Sequence, residues 1–236
     1  TPTNDNASSY TFSSTEAGTI SYSICGGNLD NASVDNNTII FDALADDTYS
    51  DCKISVTDNA SNTSDNLSVS SFTIDTTAPT ASVTEATITS SENAVIQSTE
   101  TGTAYLVNTS VTVSNLASIN GADDNMSNSV AIDVANTDTD LPATGLADGT
   151  YKVYAVDETN NLSNASGNSV TLDTTAPTLS SVSIVSNNST STLAAVGNVV
   201  TLSFIASETI STPVVTFLSG GAAITDTSVT YVNTSG

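Results

Sequence analysis

The chain has almost none of the residues on which most enzymes and nucleic-acid-binding proteins depend. Its 236 residues contain no His, no Trp and only two basic residues, Lys53 and Lys152, against 25 acidic ones, so the net charge is -23. Without His, neither a Ser-His nor a Cys-His nucleophilic pair can form, and no imidazole can act as a general base near neutral pH. A polyanion also repels nucleic acid and anionic lipid. We therefore expect neither an enzyme nor a nucleic-acid-binding protein.

Long hydrophobic runs are missing as well. No apolar stretch reaches the roughly 18 residues of a membrane span, so we expect no membrane insertion in this segment. Acidic chains that are poor in hydrophobic residues are often disordered, but 38% of these residues are hydrophobic. They fall in short runs rich in Thr, Val, Ile and Tyr, bounded by Asn, Asp, Ser and Gly, which is typical of strands and turns. The composition therefore predicts an ordered all-β protein.

Internal repetition is the most specific signal in the chain. The segment Asp75–Thr80 (DTTAPT) returns as Asp173–Thr178, 98 residues later. Repetition at a fixed period indicates tandem structural units. Three further blocks return in the same order upstream, namely residues 44–49 with 146–151, 52–58 with 151–157, and 71–74 with 169–172.

The repeats divide the chain into predicted units, namely module 1 (residues 1–78), module 2 (79–176) and module 3 (177–236). We expect module 1 to lack its opening strand and module 3 to be truncated, with strands at 199–205 and 213–217. Pro79 and Pro177 fix φ and extend the residue before them, so each linker should be stiff, unlike a Gly/Ser tether. We therefore expect modules that are arranged end to end.

Each of the first two modules carries the pattern of a β-sandwich corner. In the blocks LADDTY and LADGTY, a turn leads into a strand that begins near Tyr49 or Tyr151. A Tyr at this place in immunoglobulin-like sandwiches bonds back to the preceding corner. Apolar and polar residues then alternate, and the last strands are predicted at 67–74 and 170–172. Together these features predict an all-β fold of tandem immunoglobulin-like β-sandwich modules.

Three kinds of segment carry a family resemblance: Tyr10–Ile20 (YTFSSTEAGTI), Val95–Val107 (VIQSTETGTAYLV) and the two DTTAPT linkers. The chain resembles, over essentially its whole length, the bacterial immunoglobulin-like repeats of giant secreted adhesins and biofilm-associated surface proteins. The resemblance implies an extracellular or bacterial cell-surface location and a role as a structural spacer or stalk without catalytic residues. Its partners would be the neighbouring repeats of the same protein and an adhesion target.

The resemblance also implies Ca²⁺ at the module joints. With two basic residues in the chain, ion pairs cannot neutralise clustered carboxylates, whereas Ca²⁺ takes six to eight oxygen ligands. The family turn has Gly where Ser61 and Asn160 stand. Alternatively, Asp58 and Asp157 only cap their turns by accepting hydrogen bonds from backbone N–H groups. The candidate ligands are Asp58, Asn62, Asp75, Asp157, Asn161 and Asp173.

The remaining acidic clusters have a simpler expected role. We expect Asp46-Asp47, Asp123-Asp124 and the alternation of Asn136, Asp138 and Asp140 to be surface or turn residues.

The only two cysteines, Cys25 and Cys52, both lie in module 1. Cys25 follows a predicted strand at 19–24, and Cys52 lies in the strand after Tyr49. A disulfide between them would close a loop of 27 residues. Such a bond adds roughly 3 kcal/mol to the free energy of unfolding and fits an extracellular setting. The alternative is a pair of reduced, buried thiols. We expect no metal or redox chemistry at these cysteines, because the chain has no second Cys pair and no His.

Two further functions stay open. A ligand-binding module would recognise a glycan or another protein through residues 116–134, which lengthen module 2, although an aromatic content of 5% leaves few sugar-stacking platforms. A self-assembling filament subunit would exchange strands between copies at open sheet edges. A glycosidase, which needs only two placed carboxylates, is not expected because no acidic pair lies in a pocket-forming context.

Overall fold

The computed structural model describes residues 2–216, 218–219, 222–223 and 230–232. Strands dominate this part of the chain, and the one helix in it has five residues. The all-β prediction is therefore confirmed. The elements in chain order are β1 (Ser9–Ser14), β2 (Gly18–Tyr22), β3 (Asn31–Ala32), β4 (Asp35–Ile40), β5 (Asp47–Tyr49), β6 (Lys53–Asp58), β7 (Leu67–Ser68), β8 (Phe72–Ile74), β9 (Ala81–Val83), β10 (Ala86–Ile88), β11 (Asn93–Ser98), β12 (Gly102–Asn108), α1 (Leu116–Asn120), β13 (Ser127–Ile132), β14 (Thr139–Pro142), β15 (Gly149–Val156), β16 (Val170–Leu172), β17 (Leu179–Ser186), β18 (Val200–Ala206), β19 (Leu218–Ser219) and β20 (Ala222–Ala223).

The chain divides into two compact units, Thr1–Thr174 and Thr175–Gly236. Within the first unit, the buried apolar side chains form two separate clusters. One cluster takes its buried residues from positions 12–69 and the other from positions 81–172. These ranges lie within modules 1 and 2, whose boundaries stay a prediction.

Module 2 is built from two sheets around one core. A five-stranded sheet has the order β10-β16-β15-β12-β13, and a three-stranded sheet has the order β14-β11-β9. Side chains alternate across the pleat, so that β15 buries Tyr151, Val153 and Ala155 and leaves Lys152 and Tyr154 half-buried on its other face. The core cluster takes side chains from both sheets. Module 2 is therefore a two-layer β structure.

Module 1 has smaller sheets and a break in one strand. A four-stranded sheet has the order β3-β2-β6-β7, while β1-β4 and β5-β8 form separate pairs. The continuous β15 of module 2 corresponds to two strands of module 1, β5 and β6. β5 pairs with β8 in the same way as the start of β15 pairs with β16. β6 pairs with β2 in the same way as the rest of β15 pairs with β12. The three residues 50–52 lie between β5 and β6. The repeat spacing therefore falls from 102 at Tyr49 and Tyr151 to 99 at Asp58 and Asp157.

The disulfide lies at this break. Cys52 is the last of the three intervening residues and is bonded to Cys25, with the two Cα atoms 5.6 Å apart. Both cysteine side chains are buried in the core of module 1. The predicted disulfide is confirmed, and it connects the broken strand to the turn that follows β2.

Both corner tyrosines bond back to the turn that precedes them. The hydroxyl of Tyr49 donates to the carbonyl oxygen of Ala45 at 3.0 Å, and the hydroxyl of Tyr151 donates to that of Ala147 at 2.6 Å. Each acceptor lies four residues upstream, so the corner has the same geometry in both modules. The bond therefore fixes the turn at Ala45 and at Ala147, and the residue that follows each Ala is an Asp.

The residues that lengthen module 2 form α1 and β13. The side chain of Asn115 caps α1 by accepting from the Ser118 amide, and the helix buries Ile119. Open clefts of about 470 and 380 Å³ border α1, one beside Tyr154 and the other beside Tyr105. Among the described residues, no helix has the length and apolar character that a membrane span requires.

In the second unit, β17 pairs antiparallel with β18, and β19 with β20. The start of β17 repeats a contact of module 2. The Thr178 amide donates to the Ser207 hydroxyl at 2.9 Å, as the Thr80 amide donates to the Thr99 hydroxyl at 2.8 Å. The β17–β18 pair of this unit therefore begins as the β9–β11 pair of module 2 does.

Three predicted strands differ from the structure. The strand predicted at 213–217 is absent from its described part, which begins with Pro213, a residue without an amide hydrogen for a ladder. The strand predicted at 67–74 is two strands, because β7 pairs with β6 whereas β8 pairs with β5. The strand predicted at 19–24 ends at Tyr22, which leaves the first cysteine in a turn.

Candidate metal centre

A turn of the form Asp-x-x-x-Asn closes the end of β6 in module 1 and follows β15 in module 2. Asp157 Oδ1 accepts from the backbone amides of Thr159 and Asn161 at 2.8 and 2.9 Å, and Oδ2 accepts from the Asn161 side chain at 2.8 Å. Asp58 accepts the equivalent bonds, each at 2.8 Å. The hydrogen bonds from Asn62 hold the pKa of Asp58 below its ordinary value. Both Asp residues therefore cap their turns.

The turn forms without the Gly that the resemblance led us to expect. Ser61 and Asn160 occupy its place and adopt the left-handed conformation, with φ of 68° and 69°. Gly reaches this region without strain, and Asn visits it more readily than most other residues. The same backbone geometry is therefore present at both repeats.

One of the two turns receives carboxylates from other parts of the chain. Among the described residues, Asp75, Glu100 and Asp157 form a group in which the ligand oxygens all lie within 4.8 Å of one another. Asp157 is buried, and the other two are half-buried. Asp75 comes from the linker after module 1, whereas Glu100 and Asp157 belong to module 2. The group therefore lies at the joint between these two modules.

Gly102 allows Glu100 to approach the turn. Its φ is 143°, and a Cβ at this position would lie 2.9 Å from the Asp157 Cα and would collide with the Val156 carbonyl oxygen. Only Gly permits so close a passage, and Glu100 precedes it by two residues. Glu16–Gly18 repeats this Glu-x-Gly spacing in module 1. That repeat is the sequence signal for Glu100, which was not among the predicted ligands.

The turn of module 2 also binds the linker backbone. The side-chain nitrogen of Asn161 lies 2.8 Å from the Asp75 carbonyl oxygen and 3.3 Å from that of Thr77. It also lies 2.8 Å from Asp157 Oδ2 and 2.8 Å from Thr159 Oγ1. Four oxygens therefore surround a group that has two hydrogens. One of them, the Thr159 hydroxyl, is also within donating distance of the Asp75 carbonyl oxygen at 3.3 Å and of Asp157 Oδ1 at 2.9 Å.

Asp46 binds the same linker from the side of module 1. Its Oδ1 accepts from the amide and hydroxyl of Thr76 at 2.9 and 2.7 Å, and its Oδ2 accepts from the Thr77 hydroxyl at 2.6 Å. These bonds hold the pKa of Asp46 below its ordinary value, and the bond from the Thr77 hydroxyl has the largest effect. Asp148 likewise accepts from the amide and hydroxyl of Thr174. Asp46 is exposed, as we expected of a surface or turn residue, and it also holds the linker.

The structure brings together part of the predicted ligand set, namely Asp75, Asp157 and Asn161. Asp75 lies against the turn of the module that follows it. Asp58 and Asn62 form the equivalent turn of module 1. Asp173 opens the second linker, where its amide donates to the Ile88 carbonyl oxygen at 3.0 Å.

The acidic group has an electrostatic cost. Burial, and then the charges of Asp75 and Asp157, raise the pKa of Glu100 above its ordinary value of 4.5. The pKa of Glu100 is higher in the folded protein than in the unfolded chain, where it has its ordinary value of 4.5. The contribution of Glu100 to stability is therefore most favourable below pH 4.5. This contribution is lost as the pH rises through the folded-state pKa.

Glu100→Gln is therefore expected to raise the free energy of unfolding of the metal-free protein at neutral pH. The gain should stay below about 1 kcal/mol, because water screens partly exposed charges, and it should shrink as the pH falls towards 4.5, where Glu100 itself becomes neutral. Urea unfolding in chelator across this pH range measures the effect, with Glu16→Gln as the matched control. A loss of stability at neutral pH in Glu100→Gln alone would contradict a cost of the Glu100 charge in the folded protein.

Comparison of the chain with protein-family models and with curated proteins finds no match in either.

Proposed function

We propose that the chain is a structural spacer of an extracellular bacterial adhesin or surface fibre, and that it has no catalytic activity. The observation that carries this proposal is the joint between modules 1 and 2. Amide and hydroxyl groups of the linker donate to Asp46 of module 1, and linker carbonyl oxygens accept from Asn161 of module 2. A linker that is bound from both sides holds the orientation of two modules, which is what a spacer requires.

Two other observations support an extracellular location. The Cys25–Cys52 disulfide is of the kind that persists in oxidising compartments. The net charge of -23 suits a surface in salt water, where charges more than roughly 8 Å apart are screened. Neighbouring repeats of the same protein are the partners that this role implies.

The acidic group at the joint is assigned to Ca²⁺. Its donors are the carboxylates of Asp75, Glu100 and Asp157, and the Asn161 side chain bonds both Asp157 and the linker carbonyl oxygens of Asp75 and Thr77. Such hard oxygen ligands suit Ca²⁺. Zinc prefers His and Cys, whereas this chain has no His and its two cysteines form a disulfide. Burial, and then repulsion by Asp75 and Asp157, raise the pKa of Glu100, and a bound cation would offset both costs.

Calcium is expected to raise the melting temperature of the full chain. At a free concentration of about 100 times its Kd, a ligand that binds only the folded state adds about 2.7 kcal/mol, which for a small domain corresponds to roughly 10 °C or more. Thermal melts in Ca²⁺, in Mg²⁺ and in chelator measure the shift. We expect a smaller effect of Mg²⁺, because it demands stricter octahedral geometry.

Asp157→Asn and Asp58→Asn form a matched pair for this experiment. Both residues cap equivalent turns, so both substitutions should weaken their turns without metal. Only Asp157→Asn should remove the shift caused by calcium. The assignment of calcium to this joint is wrong if the unmodified chain shows no shift, or if Asp58→Asn loses the shift as completely as Asp157→Asn does.

A further inference from the structure

Asp46 lies beside the linker, between the tyrosine corner of module 1 and β5. It directly precedes β5 and directly follows Ala45, whose carbonyl oxygen is bonded by the Tyr49 hydroxyl at 3.0 Å. Its carboxylate accepts three hydrogen bonds from Thr76 and Thr77, between 2.6 and 2.9 Å long. The corner of module 1 therefore holds the linker through a residue outside the acidic group.

Hydrogen bonds connect Asp46 to Asp75, which is a member of that group. The Thr77 hydroxyl donates to Asp46 Oδ2, and the Thr77 backbone amide donates to Asp75 Oδ1 at 3.2 Å. Thr76, the residue next to Asp75, is bound to Asp46 through both its amide and its hydroxyl. The position of the Asp75 carboxylate therefore depends on residues that Asp46 holds.

The same contact is present at the second linker. Asp148 Oδ1 accepts from the amide of Thr174 at 2.9 Å and from its hydroxyl at 2.7 Å, and these distances equal those between Asp46 and Thr76. Asp148 follows the Ala whose carbonyl oxygen accepts from the Tyr151 hydroxyl. Since the corner, the Asp and the linker Thr recur together, the contact is a feature of the repeat.

We propose that Asp46 is a positioning residue that holds residues 75–77 in place for the calcium site and thereby sets the calcium affinity of the joint. This inference rests on the calcium site proposed above. A site whose ligands must first be ordered binds more weakly than a preorganised one. Loss of a group that orients a metal ligand typically lowers metal affinity about 10–100-fold.

Calcium titration of the full chain by calorimetry tests the inference with Asp46→Asn, which keeps the shape of the side chain but removes its charge and one acceptor oxygen. We expect the Kd for calcium to rise about 10-fold or more. Asp47→Asn is the matched control, because it removes the same charge one residue away, where the carboxylate accepts from the adjacent Thr48 amide. Its Kd should stay within about twofold of the unmodified value, since distant exposed charges are screened.

A second measurement in chelator separates failure of this inference from failure of the calcium site. By NMR, modules 1 and 2 of the unmodified chain should share one alignment tensor. In Asp46→Asn their tensors should differ, and the Thr76 amide should exchange with solvent at least about 10-fold faster, because its acceptor is weakened. Absence of calcium binding by the unmodified chain would overturn the calcium site and, with it, the role of Asp46 in affinity.

Calcium binding that is unchanged in Asp46→Asn, together with unchanged Thr76 exchange, would overturn the positioning role and leave the calcium site intact. Thr77→Val provides an independent variant from the linker side. It removes the hydroxyl that donates to Asp46 Oδ2 and should raise the Kd in the same direction. Amide chemical shifts from the two cores verify that each variant is folded.

Discussion

Replacing both Cys25 and Cys52 by Ala, or reducing their disulfide, is expected to lower the free energy of unfolding of module 1 by about 3 kcal/mol. The bond closes a loop of 27 residues, and its removal returns conformational freedom to the unfolded chain. Both side chains are also buried, so replacing them by Ala removes packed sulfur atoms from the core around the strand break. In a domain of this size, the loss corresponds to more than about 10 °C in melting temperature.

Hydrogen exchange followed by mass spectrometry on the intact chain measures this effect module by module. Peptides from β2, β4 and β6 should lose protection when reductant is added, whereas peptides from β12 and β15 should not, because module 2 contains no cysteine. Module 2 is thus an internal control for nonspecific effects of the reductant. Unchanged protection in module 1 would show that packing alone holds the broken strand in place.

The sequence predicted the fold best where a local pattern and the repeat agree. β16 was predicted at 170–172 and is found there, and β18 was predicted one residue early. The corner hydrogen bonds of Tyr49 and Tyr151 also follow from a repeated block. Alternation and turn chemistry are local properties, so these features can be read without knowledge of which strands pair.

The strand break in module 1 required long-range information. Tyr151 matches Tyr49 at one spacing and Cys52 at another, and the sequence alone does not say which match is structural. The match to Tyr49 is structural, because β5 pairs with β8 as the start of β15 pairs with β16. The second spacing holds for β6, which pairs with β2, whereas Cys52 itself is one of the three extra residues 50–52 between the two strands. Helix α1 was missed for a different reason: five residues are too few to show a helical period.

The candidate site was predicted only in part, because its residues are brought together by long-range contacts. Asp75, Asp157 and Asn161 were found from repeated positions, but the meeting of Asp75 with the turn of the following module depends on how the linker lies. Glu100 is 57 residues from Asp157, and although its Glu-x-Gly spacing recurs at Glu16–Gly18, that repeat does not say which turn the Glu approaches. Asp46 is exposed, as was expected, but its hydrogen bonds to the linker were not predicted, although the Asp of LADDTY has its counterpart in LADGTY.

Leu141→Ala is expected to lower the free energy of unfolding of module 2 by about 3 kcal/mol and to leave module 1 almost unchanged. Leu141 is 0% exposed and belongs to the second core cluster. Removing a buried Leu side chain costs its transfer free energy and the cavity that it leaves, about 2–5 kcal/mol in all. No buried residue is shared between the two clusters, so the damage should remain in one core.

The contacts at the joint make this a demanding test, because modules 1 and 2 belong to one compact unit. Ile39→Ala, at a position that is 0% exposed in the first core cluster, is the reciprocal variant and should destabilise module 1 alone. Protection factors of core amides in both variants give the answer. Each hydrogen bond to the linker contributes only about 1 kcal/mol net, so the joint can fix the orientation of two modules without making their unfolding one event. Equal losses of protection in both modules of either variant would mean that they unfold together, and the chain would then be a poor spacer of separate units.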